Sequence, residues 1–290
     1  MNKTEIIYVV SPDWYRQFFV SLHSLLESKS SFDTIRIFCI GKKPKEWVFL
    51  DPRIVVDEVE RLDENNYFLI NKTYITKSQA DRVIFLDADT LVLKPLDQVW
   101  KGINADFIGR VESVCSKPQW NQQSWLALLQ KLNAVETPYF NSGFVIFQNG
   151  SHRNLFQSWY TLTKQGQNKE LFDSAKIHNN NPRMAEQIAL SLAIGCARLS
   201  WHKIGNKEHA YGWRLEPYTD SIVLHTGNWK YYEIASLAMR EKNIRFVSPI
   251  CSSGFDRRHF SIHWKLFKGD IKRIINRFKS NLQRSFSLLI

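Results

Sequence analysis

The sequence of 290 residues predicts an α/β fold in which helices cover both faces of a sheet. Short apolar runs rich in β-branched residues alternate with segments of helical periodicity. Runs such as 6–10 and 83–86 are apolar at every position, which is typical of strands buried on both faces. The content of 44% hydrophobic and 23% charged residues excludes a disordered or fibrous chain.

The first half of the chain contains most of the predicted strands. The run at 6–10 is a strand that ends at a Ser-Pro pair, and apolar residues at helical spacing predict a helix over 14–27. A strand closed by glycine follows at 34–40, and a short one at 54–56. The run at 82–86 is predicted to be the fourth strand.

The second half has fewer clear elements. A strand is predicted at 145–147, after a turn formed by Asn141, Ser142 and Gly143. Apolar spacing predicts a helix over 184–194, and 221–224 is predicted to be a strand. We expect these elements to form one domain at 1–256, followed by a tail at 257–290.

The tail at 257–290 differs from the rest in charge. The whole chain has a net charge of +11, and this segment contains nine Lys and Arg residues against one Asp. Large apolar residues recur in it at steps of three or four: Phe260, Trp264, Phe267, Ile271, Ile274, Phe278, Leu282, Phe286 and Leu289. This pattern predicts a basic amphipathic helix that binds an anionic membrane surface. The alternative is a terminal helix packed on the domain or on a partner.

Other sequence features bear on location. The apolar run at 6–10 is too short for a signal peptide, and no run of about 18 apolar residues occurs. The four cysteines have no metal-binding spacing, which favours reduced thiols in a reducing compartment. Nucleic acid is not expected as a partner, because the basic residues do not spread along the body. We therefore expect a cytoplasmic protein that is peripheral on the inner face of the cell membrane.

The most informative motif is a pair of acidic residues at the end of a buried strand. Asp87 and Asp89 follow one apolar run and precede another at 90–93. In open α/β sheets, ligands bind beyond the carboxyl ends of the strands. Two carboxylates separated by one small residue can bind Mg²⁺ or Mn²⁺, which keeps open positions for phosphate oxygens. The alternative is a strand end that carries two solvated aspartates.

This motif resembles the Asp-x-Asp signature of nucleotide-sugar glycosyltransferases with the GT-A fold. Residues 81–93 are most similar to the family-eight branch, which includes glycogenin and bacterial lipo-oligosaccharide galactosyltransferases. Three further segments agree with that family in order and spacing: Phe-Asn-Ser-Gly at 140–143, Glu-Gln-Ile-Ala-Leu at 186–190, and Leu-His-Thr-Gly at 224–227 followed by Lys230. The resemblance covers roughly 4–235. It implies a Rossmann-like mixed sheet flanked by helices, with the nucleotide-binding half N-terminal.

The resemblance also implies a role for each motif position. Asp87, Asp89 and His225 would bind Mn²⁺ or Mg²⁺, which bridges the donor diphosphate. A core histidine at a strand end is the alternative for His225, and a solvated lysine is the alternative for Lys72. The resemblance implies that twelve residues contact the nucleotide sugar: Val10, Ser11, Asp13, Lys72, Asp87, Ala88, Asp89, Asn141, Ser142, Gly143, Gly227 and Lys230.

Three residues are implied to act in catalysis. Glu186 would hydrogen-bond a sugar hydroxyl or hold the acceptor, and Lys230 would neutralise the leaving diphosphate. Gln187 is an uncharged amide and a poor nucleophile, which favours a front-face mechanism with retention over double displacement. Only one residue separates His225 from Gly227, where the family has two, so Lys230 is displaced by one position.

The sequence therefore predicts a metal-dependent hexosyltransferase. Its donor would be a nucleotide sugar, a UDP-hexose in the family's pattern, and its acceptor a glycan or a lipid-linked glycan of a bacterial envelope. Three alternatives stay open: a glycosyltransferase for a soluble glycan or protein, a non-catalytic sugar-nucleotide-binding protein, and a nucleic-acid-binding protein. The intact set of two aspartates and one histidine argues against the non-catalytic alternative.

Overall fold

The protein is described from a computed structural model. The described residues are 3–11, 14–45, 47–49, 51–63, 67–116, 120–167, 184–211 and 220–226. The predictions for Asp13, Gly227, Lys230 and the tail at 257–290 lie outside these residues. Among the described residues, no helix has both the length and the apolar character needed to cross a membrane.

The described part of the chain alternates strands and helices. The strands are β1 (Thr4–Val10), β2 (Thr34–Ile40), β3 (Ile54–Val59), β4 (Arg82–Leu86), β5 (Thr90–Val92), β6 (Phe107–Val111), β7 (Phe140–Phe147), β8 (Trp201–Ile204), β9 (His209–Tyr211) and β10 (Val223–His225). The α-helices are α1 (Tyr15–Glu27), α2 (Asp97–Trp100), α3 (Gln122–Lys131), α4 (Phe156–Gln167) and α5 (Ala185–Cys196). Three 3₁₀ helices cover Phe68–Lys77, Ser113–Ser116 and Ser151–Asn154.

Seven strands form a mixed sheet in the order β3-β2-β1-β4-β7-β6-β8. Strand β7 runs antiparallel to both of its neighbours, and the other described pairs in this sheet are parallel. The N-terminal end of β7 therefore lies beside the carboxyl end of β4, with Phe144 opposite Leu86. This arrangement brings residues from both strands to one edge of the sheet.

A second sheet of three strands has the order β5-β10-β9. Strand β10 is antiparallel to β5 and parallel to β9, so His225 pairs with Thr90 on one side and with Tyr211 on the other. Because β5 follows β4 after only three residues, the small sheet carries His225 to the carboxyl end of β4.

The core lies on both faces of the large sheet. Alternate residues of β1 point to opposite faces, as in any strand, so Ile7 packs with residues of α3, α4 and α5 while Tyr8 packs with residues of α1 and α2. Both side chains are fully buried. The prediction of an α/β sheet covered by helices on two faces is confirmed.

Most predicted elements agree with the structure, and one prediction is wrong. The strands at 34–40 and 82–86 agree at both ends, whereas the last strand is Val223–His225 instead of 221–224. The predicted turn at 141–143 is part of β7, which begins at Phe140 and is buried at every residue. Asn and Ser favour turns locally, but here their side chains find buried partners across the fold, which overrides that preference.

Candidate functional site

The acidic pair lies at the carboxyl end of β4. The backbone N–H of Asp87 donates to the carbonyl of Gly143 (2.8 Å). The backbone N–H and the hydroxyl of Thr90 donate to the Asp87 carbonyl (3.1 and 2.7 Å). The backbone N–H and the hydroxyl of Thr226 likewise donate to the Asp89 carbonyl (3.0 and 2.8 Å). These bonds hold both aspartates in a tight turn and fix the end of β10 beside it.

His225 completes a group of three candidate metal ligands. Its Nε2 atom lies 3.3 Å from Oδ1 of Asp89 and 3.9 Å from Oδ2 of Asp87. One ligand atom from each residue lies within 4.8 Å of the other two. The side chains of Asp87 and Asp89 are 20% and 14% exposed, so a ligand can reach them from solvent. His225 lies 138 residues after Asp87 and 136 after Asp89 in the sequence, yet the three side chains meet, as the resemblance implied.

The imidazole of His225 packs against the backbone of β7 and against a second histidine. A Cβ atom on Gly143 would lie 2.1 Å from Cε1 and 2.5 Å from Nδ1 of His225, so only glycine fits there without a shift. The His209 ring stacks on His225 with centroids 5.6 Å apart and an interplanar angle of 16°. Burial, and then the charges of His225 and Arg110, keep the pKa of His209 well below its ordinary value. His209 is therefore a neutral packing surface for the ligand ring.

The charges of the three candidate ligands depend on one another. Burial raises the pKa of Asp87, and the nearby Asp89 carboxylate adds to this, although Lys72 and His225 oppose it. Burial also acts against ionisation of Asp89, but His225 and Lys72 outweigh it and lower the pKa of that carboxyl. Burial acts against protonation of His225, yet the two carboxylates raise its pKa overall. The two carboxylates therefore favour a positive charge at the position of the His225 ring.

Lys72 is the main positive charge beside the acids. It belongs to the 3₁₀ helix Phe68–Lys77, and only 5% of the residue is exposed. Its Nζ atom donates to Oδ2 of Asp87 (2.8 Å) and to the hydroxyl of Ser142 (3.2 Å), and it lies 3.7 Å from Oε2 of Glu186. Burial lowers the pKa of Lys72, but Asp87 and Glu186 outweigh burial and raise it. The alternative of a solvated lysine is wrong.

Glu186 is a buried carboxyl with one unused oxygen. Only 1% of the residue is exposed, and Oε2 accepts from the hydroxyl of Ser142 (2.8 Å). Oε1 has no hydrogen-bond partner within the described residues. Burial raises the pKa of Glu186 to about 7, despite the opposing effects of Lys72 and Ser142. A carboxyl in this state can accept a hydrogen bond or, when protonated, donate one.

Gln187 lies in a polar network next to Glu186. Its Oε1 accepts from Nδ2 of Asn141 (3.1 Å) and from the backbone N–H of Ser142 (3.1 Å). Its Nε2 donates to Oε2 of Glu112 (3.3 Å) and to the hydroxyl of Tyr139 (2.6 Å). The catalytic role that the resemblance implied for Gln187 stays a prediction.

Sequence reasoning missed Glu112, Tyr139 and His209. Glu112 directly follows β6, and an acidic residue after an apolar strand is the same signal that identified Asp87. Tyr139 directly precedes the motif at 140–143, a signal that could have found it, whereas His209 stands beside no recognisable motif and is placed by its pairing with β10.

The remaining predicted contacts are less informative. The Val10 side chain is 1% exposed and packs in the core, so only its backbone can face a ligand. Ser11 is half-buried directly after β1, and its carbonyl accepts from the backbone N–H of Trp14 (3.0 Å). Ala88 packs at the edge of the core between the two aspartates. Their roles in nucleotide binding stay predictions.

The ligand set fits a hard or borderline divalent cation. Two carboxylates and one imidazole suit Mn²⁺, and carboxylates also suit Mg²⁺. The residues thus fit the metal that the resemblance implies.

The chain was compared with solved structures and with curated proteins. It superimposes on the galactosyltransferase LgtC in complex with donor and acceptor sugar analogs, with a TM-score of 0.57 and 11% identity over 87% of this chain and 99% of that chain. It is also similar to the glycosyltransferase GlyE of Streptococcus pneumoniae TIGR4, with a TM-score of 0.50 and 15% identity over 86% of this chain and 66% of that chain. No curated protein matches. The superposition establishes a shared GT-A fold.

A comparison with protein families gives the assignment. The description "Glycosyl transferase family 8" matches residues 7–179, which is more than half of the chain. The match includes the acidic pair and the start of β7. The protein is therefore a glycosyltransferase and belongs to glycosyl transferase family 8.

Proposed function

We propose that this enzyme transfers a hexose from a UDP-sugar to a glycan or lipid-linked acceptor of the cell envelope, with retention of anomeric configuration. One observation carries the metal-dependent part of this proposal. Asp87 and Asp89 come from one turn and His225 from a strand more than 130 residues later, and the three meet at the carboxyl end of β4, within 4.8 Å of one another. A structural role does not explain two partly exposed aspartates held together at this edge.

The chemistry of transfer fits the charges of the site. Glycosyl transfer places negative charge on the departing diphosphate, and a divalent cation supplies positive charge there. Asp87, Asp89 and His225 would hold that cation. Lys72 keeps Asp87 fixed through its 2.8 Å hydrogen bond and offsets part of the charge of Glu186. We propose that Oε1 of Glu186, a buried atom with no hydrogen-bond partner among the described residues, accepts from a sugar hydroxyl once the donor is bound.

The reaction needs no strongly nucleophilic side chain. In the proposed front-face reaction, the acceptor hydroxyl attacks the anomeric carbon on the side from which the diphosphate departs. The bond from that carbon to the diphosphate oxygen breaks, and the hydroxyl proton passes to the diphosphate. The uncharged amide of Gln187 suits this reaction better than double displacement.

A donor-hydrolysis screen tests the proposal. The full-length enzyme is incubated with UDP-glucose, UDP-galactose, GDP-mannose and other nucleotide sugars, with Mn²⁺, with Mg²⁺ or with excess chelator. We expect release of nucleotide from a UDP-hexose with a metal ion and loss of release in chelator. Equal release in chelator would contradict the role of the metal, and release only from a non-uridine donor would contradict the proposed nucleotide.

We propose further that the tail at 257–290 holds the enzyme on an anionic membrane surface. The support is its sequence: nine basic residues and an aromatic and aliphatic stripe at helical spacing. Each basic residue near an anionic leaflet contributes about 1 kcal/mol. Deletion of 257–290 should release the enzyme from phosphatidylserine-containing vesicles, and salt should weaken binding of the full chain.

The packed-helix alternative gives the opposite result. If the tail packs on the domain, deletion lowers the melting temperature, and the intact chain does not bind vesicles. Activity on a small soluble acceptor should survive the deletion, while activity on a membrane-embedded acceptor should fall. If both fall equally, the tail does not act through the membrane.

A further inference from the structure

The carboxamide of Gln187 has no hydrogen-bonding capacity left for a substrate. A primary amide offers two acceptor sites on oxygen and two donors on nitrogen. All four are used: Asn141 and the Ser142 backbone donate to Oε1, and Nε2 donates to Glu112 and Tyr139 at the distances given above. The backbone N–H of Ser142 must face the amide oxygen of Gln187, and the Glu112 carboxylate must face the amide nitrogen because it can only accept. The orientation of the Gln187 amide is therefore unambiguous.

Glu112 is the charged member of this network. Its Oε2 accepts from Nδ2 of Asn141 (2.9 Å) as well as from Gln187 and from the hydroxyl of Tyr211 (3.5 Å). Its Oε1 accepts from the backbone N–H and the hydroxyl of Ser113 (2.7 and 2.8 Å). All of these partners are donors, and hydrogen bonds to a carboxylate are about twice as strong as neutral ones. The carboxylate therefore determines which way both amides point.

The network reaches the metal site through the first residues of β7. Oδ1 of Asn141 accepts from the backbone N–H of Gly143 (2.9 Å). The carbonyl of Gly143 accepts from the N–H of Asp87, and the His225 ring packs where a Gly143 side chain would be. Displacement of Asn141 would thus move the backbone against which two candidate metal ligands are placed.

We propose that Gln187 is a positioning residue in this enzyme and that the Glu112 carboxylate, through Gln187 and Asn141, fixes the start of β7 relative to the metal site. This inference rests on the proposed function for its effect on turnover. The hydrogen-bond network itself is independent of that function.

An exchange of the two side chains tests the proposal. Gln187→Glu places a carboxylate against Glu112, and Glu112→Gln places an amide nitrogen against donors. Each single variant should lower kcat by about 10-fold to 100-fold, the loss expected from a small misplacement of the site. The double variant E112Q/Q187E pairs a carboxylate with an amide again, so its kcat should exceed that of Gln187→Glu at least tenfold. A double variant no more active than Gln187→Glu would overturn the proposal.

Glu5→Gln is the matched control for the loss of a buried carboxylate. Glu5 is 1% exposed and is bonded to Arg36 and Ser78 at the amino end of β1, away from the site. We expect Glu5→Gln to lower the melting temperature while kcat stays within about twofold of the wild type. If Glu112→Gln fails to fold, Tyr139→Phe removes one acceptor of Gln187 and should lower kcat in the same direction.

A measurement without substrate separates this proposal from the proposed function. The side-chain NH₂ resonances of Gln187, assigned by their loss in Gln187→Ala, should exchange slowly with water in the unliganded protein. In Glu112→Gln the exchange should be faster by about tenfold or more, the factor expected from losing a hydrogen bond to a charged group. Rapid exchange in the wild type, or no change in Glu112→Gln, would overturn the network even if the enzyme is active.

Discussion

Two buried glutamates, at opposite ends of the large sheet, have very different surroundings. At the amino end, Oε1 of Glu5 accepts from Nε of Arg36 (3.0 Å) and Oε2 accepts from the hydroxyl of Ser78. At the carboxyl end, Glu186 has a partner within the described ranges at Oε2 alone, and Lys72 is shared with Asp87. Both residues are 1% exposed. Burial is thus the same, and the number of partners differs.

The difference shows which buried charges serve the fold and which are kept for a ligand. A buried carboxylate whose oxygens are both bonded is part of the structure, because removal of one partner leaves an uncompensated charge. A buried carboxylate with an unused oxygen is less favourable in the isolated protein. Such groups concentrate where a substrate or a cation completes the set. Three experiments test this distinction.

The largest effect is expected from removal of a carboxylate at the carboxyl end. Asp89→Ala removes a candidate metal ligand and should lower transfer by about 10³-fold, comparable to the loss of a main electrostatic contact in other enzymes. The fold should remain, because Asp89 lies at a partly exposed sheet edge. The turnover of the purified variant measures the loss of transfer, and its melting temperature shows whether the fold remains.

The matched change is Asp57→Ala, on the edge strand β3, which removes a second partner of the Arg36 that binds Glu5. Asp57 pairs with Arg36 and is 37% exposed. Its loss should leave turnover unchanged. Equal losses in the two variants, or full wild-type activity in excess chelator, would remove the distinction between the two ends.

A smaller effect is expected when the charges stay and only the imidazole moves. Gly143→Ala puts a Cβ atom 2.1 Å from Cε1 of His225, so the ring must shift. Mn²⁺ affinity should fall by about 10-fold to 100-fold, the range found when support of a metal ligand is lost. Isothermal titration with Mn²⁺ measures it.

Gly205→Ala is the control for glycine substitution. The nearest atom to its added Cβ is a carboxylate oxygen of Glu208 at 3.6 Å, an ordinary contact. Its Mn²⁺ affinity should equal that of the wild type. Unchanged affinity in Gly143→Ala would mean that His225 does not bind the metal.

The smallest effect concerns stability. Burial raises the pKa of Glu186 from 4.5 to about 7, so the folded protein binds more protons than the unfolded chain between these values. The contribution of this group to stability is therefore full below pH 4.5 and is lost as pH rises to about 7, by an amount on the order of 3 kcal/mol. Glu186→Gln should remove this pH dependence and stabilise the protein at pH 8.

Chemical denaturation of both glutamate variants completes the comparison. Glu5→Gln should lower the free energy of unfolding, because Arg36 loses a buried partner. The two substitutions thus have opposite signs at pH 8. If Glu186→Gln destabilises the protein there as Glu5→Gln does, Glu186 is a structural charge.

The sequence predicts the strands that local physics determines. Residues 34–40 and 82–86 are continuous apolar runs with clear ends, and the structure places strands there. Strands β6, β8 and β9 were not predicted, since they are short or contain polar residues such as His202 and Lys203. Their pairing partners come from distant parts of the chain, which a local pattern does not contain.

The site was predicted only in part, for the same reason. The positions of Asp87, Asp89 and His225 followed from motifs, but the burial of Lys72 did not, because its 3₁₀ helix has no regular apolar pattern. Local preference predicted a turn at 141–143, while tertiary hydrogen bonds make this segment a strand. Glu112 could have been found as an acid after a strand only if β6 had been predicted, and its pairing with Gln187 depends on how β6 and α5 meet.

The antiparallel direction of β7 has a consequence for how such an enzyme can evolve. Neighbouring residues of a strand point to opposite faces. On one face, Asn141 bonds to Gln187 and Gly143 leaves room for the His225 ring. On the other face, the Ser142 hydroxyl bonds to Lys72 and Glu186. An insertion or deletion of one residue here would exchange the two faces and separate every one of these pairs at once. Adaptation to new sugars should therefore proceed through substitutions at 140–143, and changes of length should accumulate in other parts of the chain.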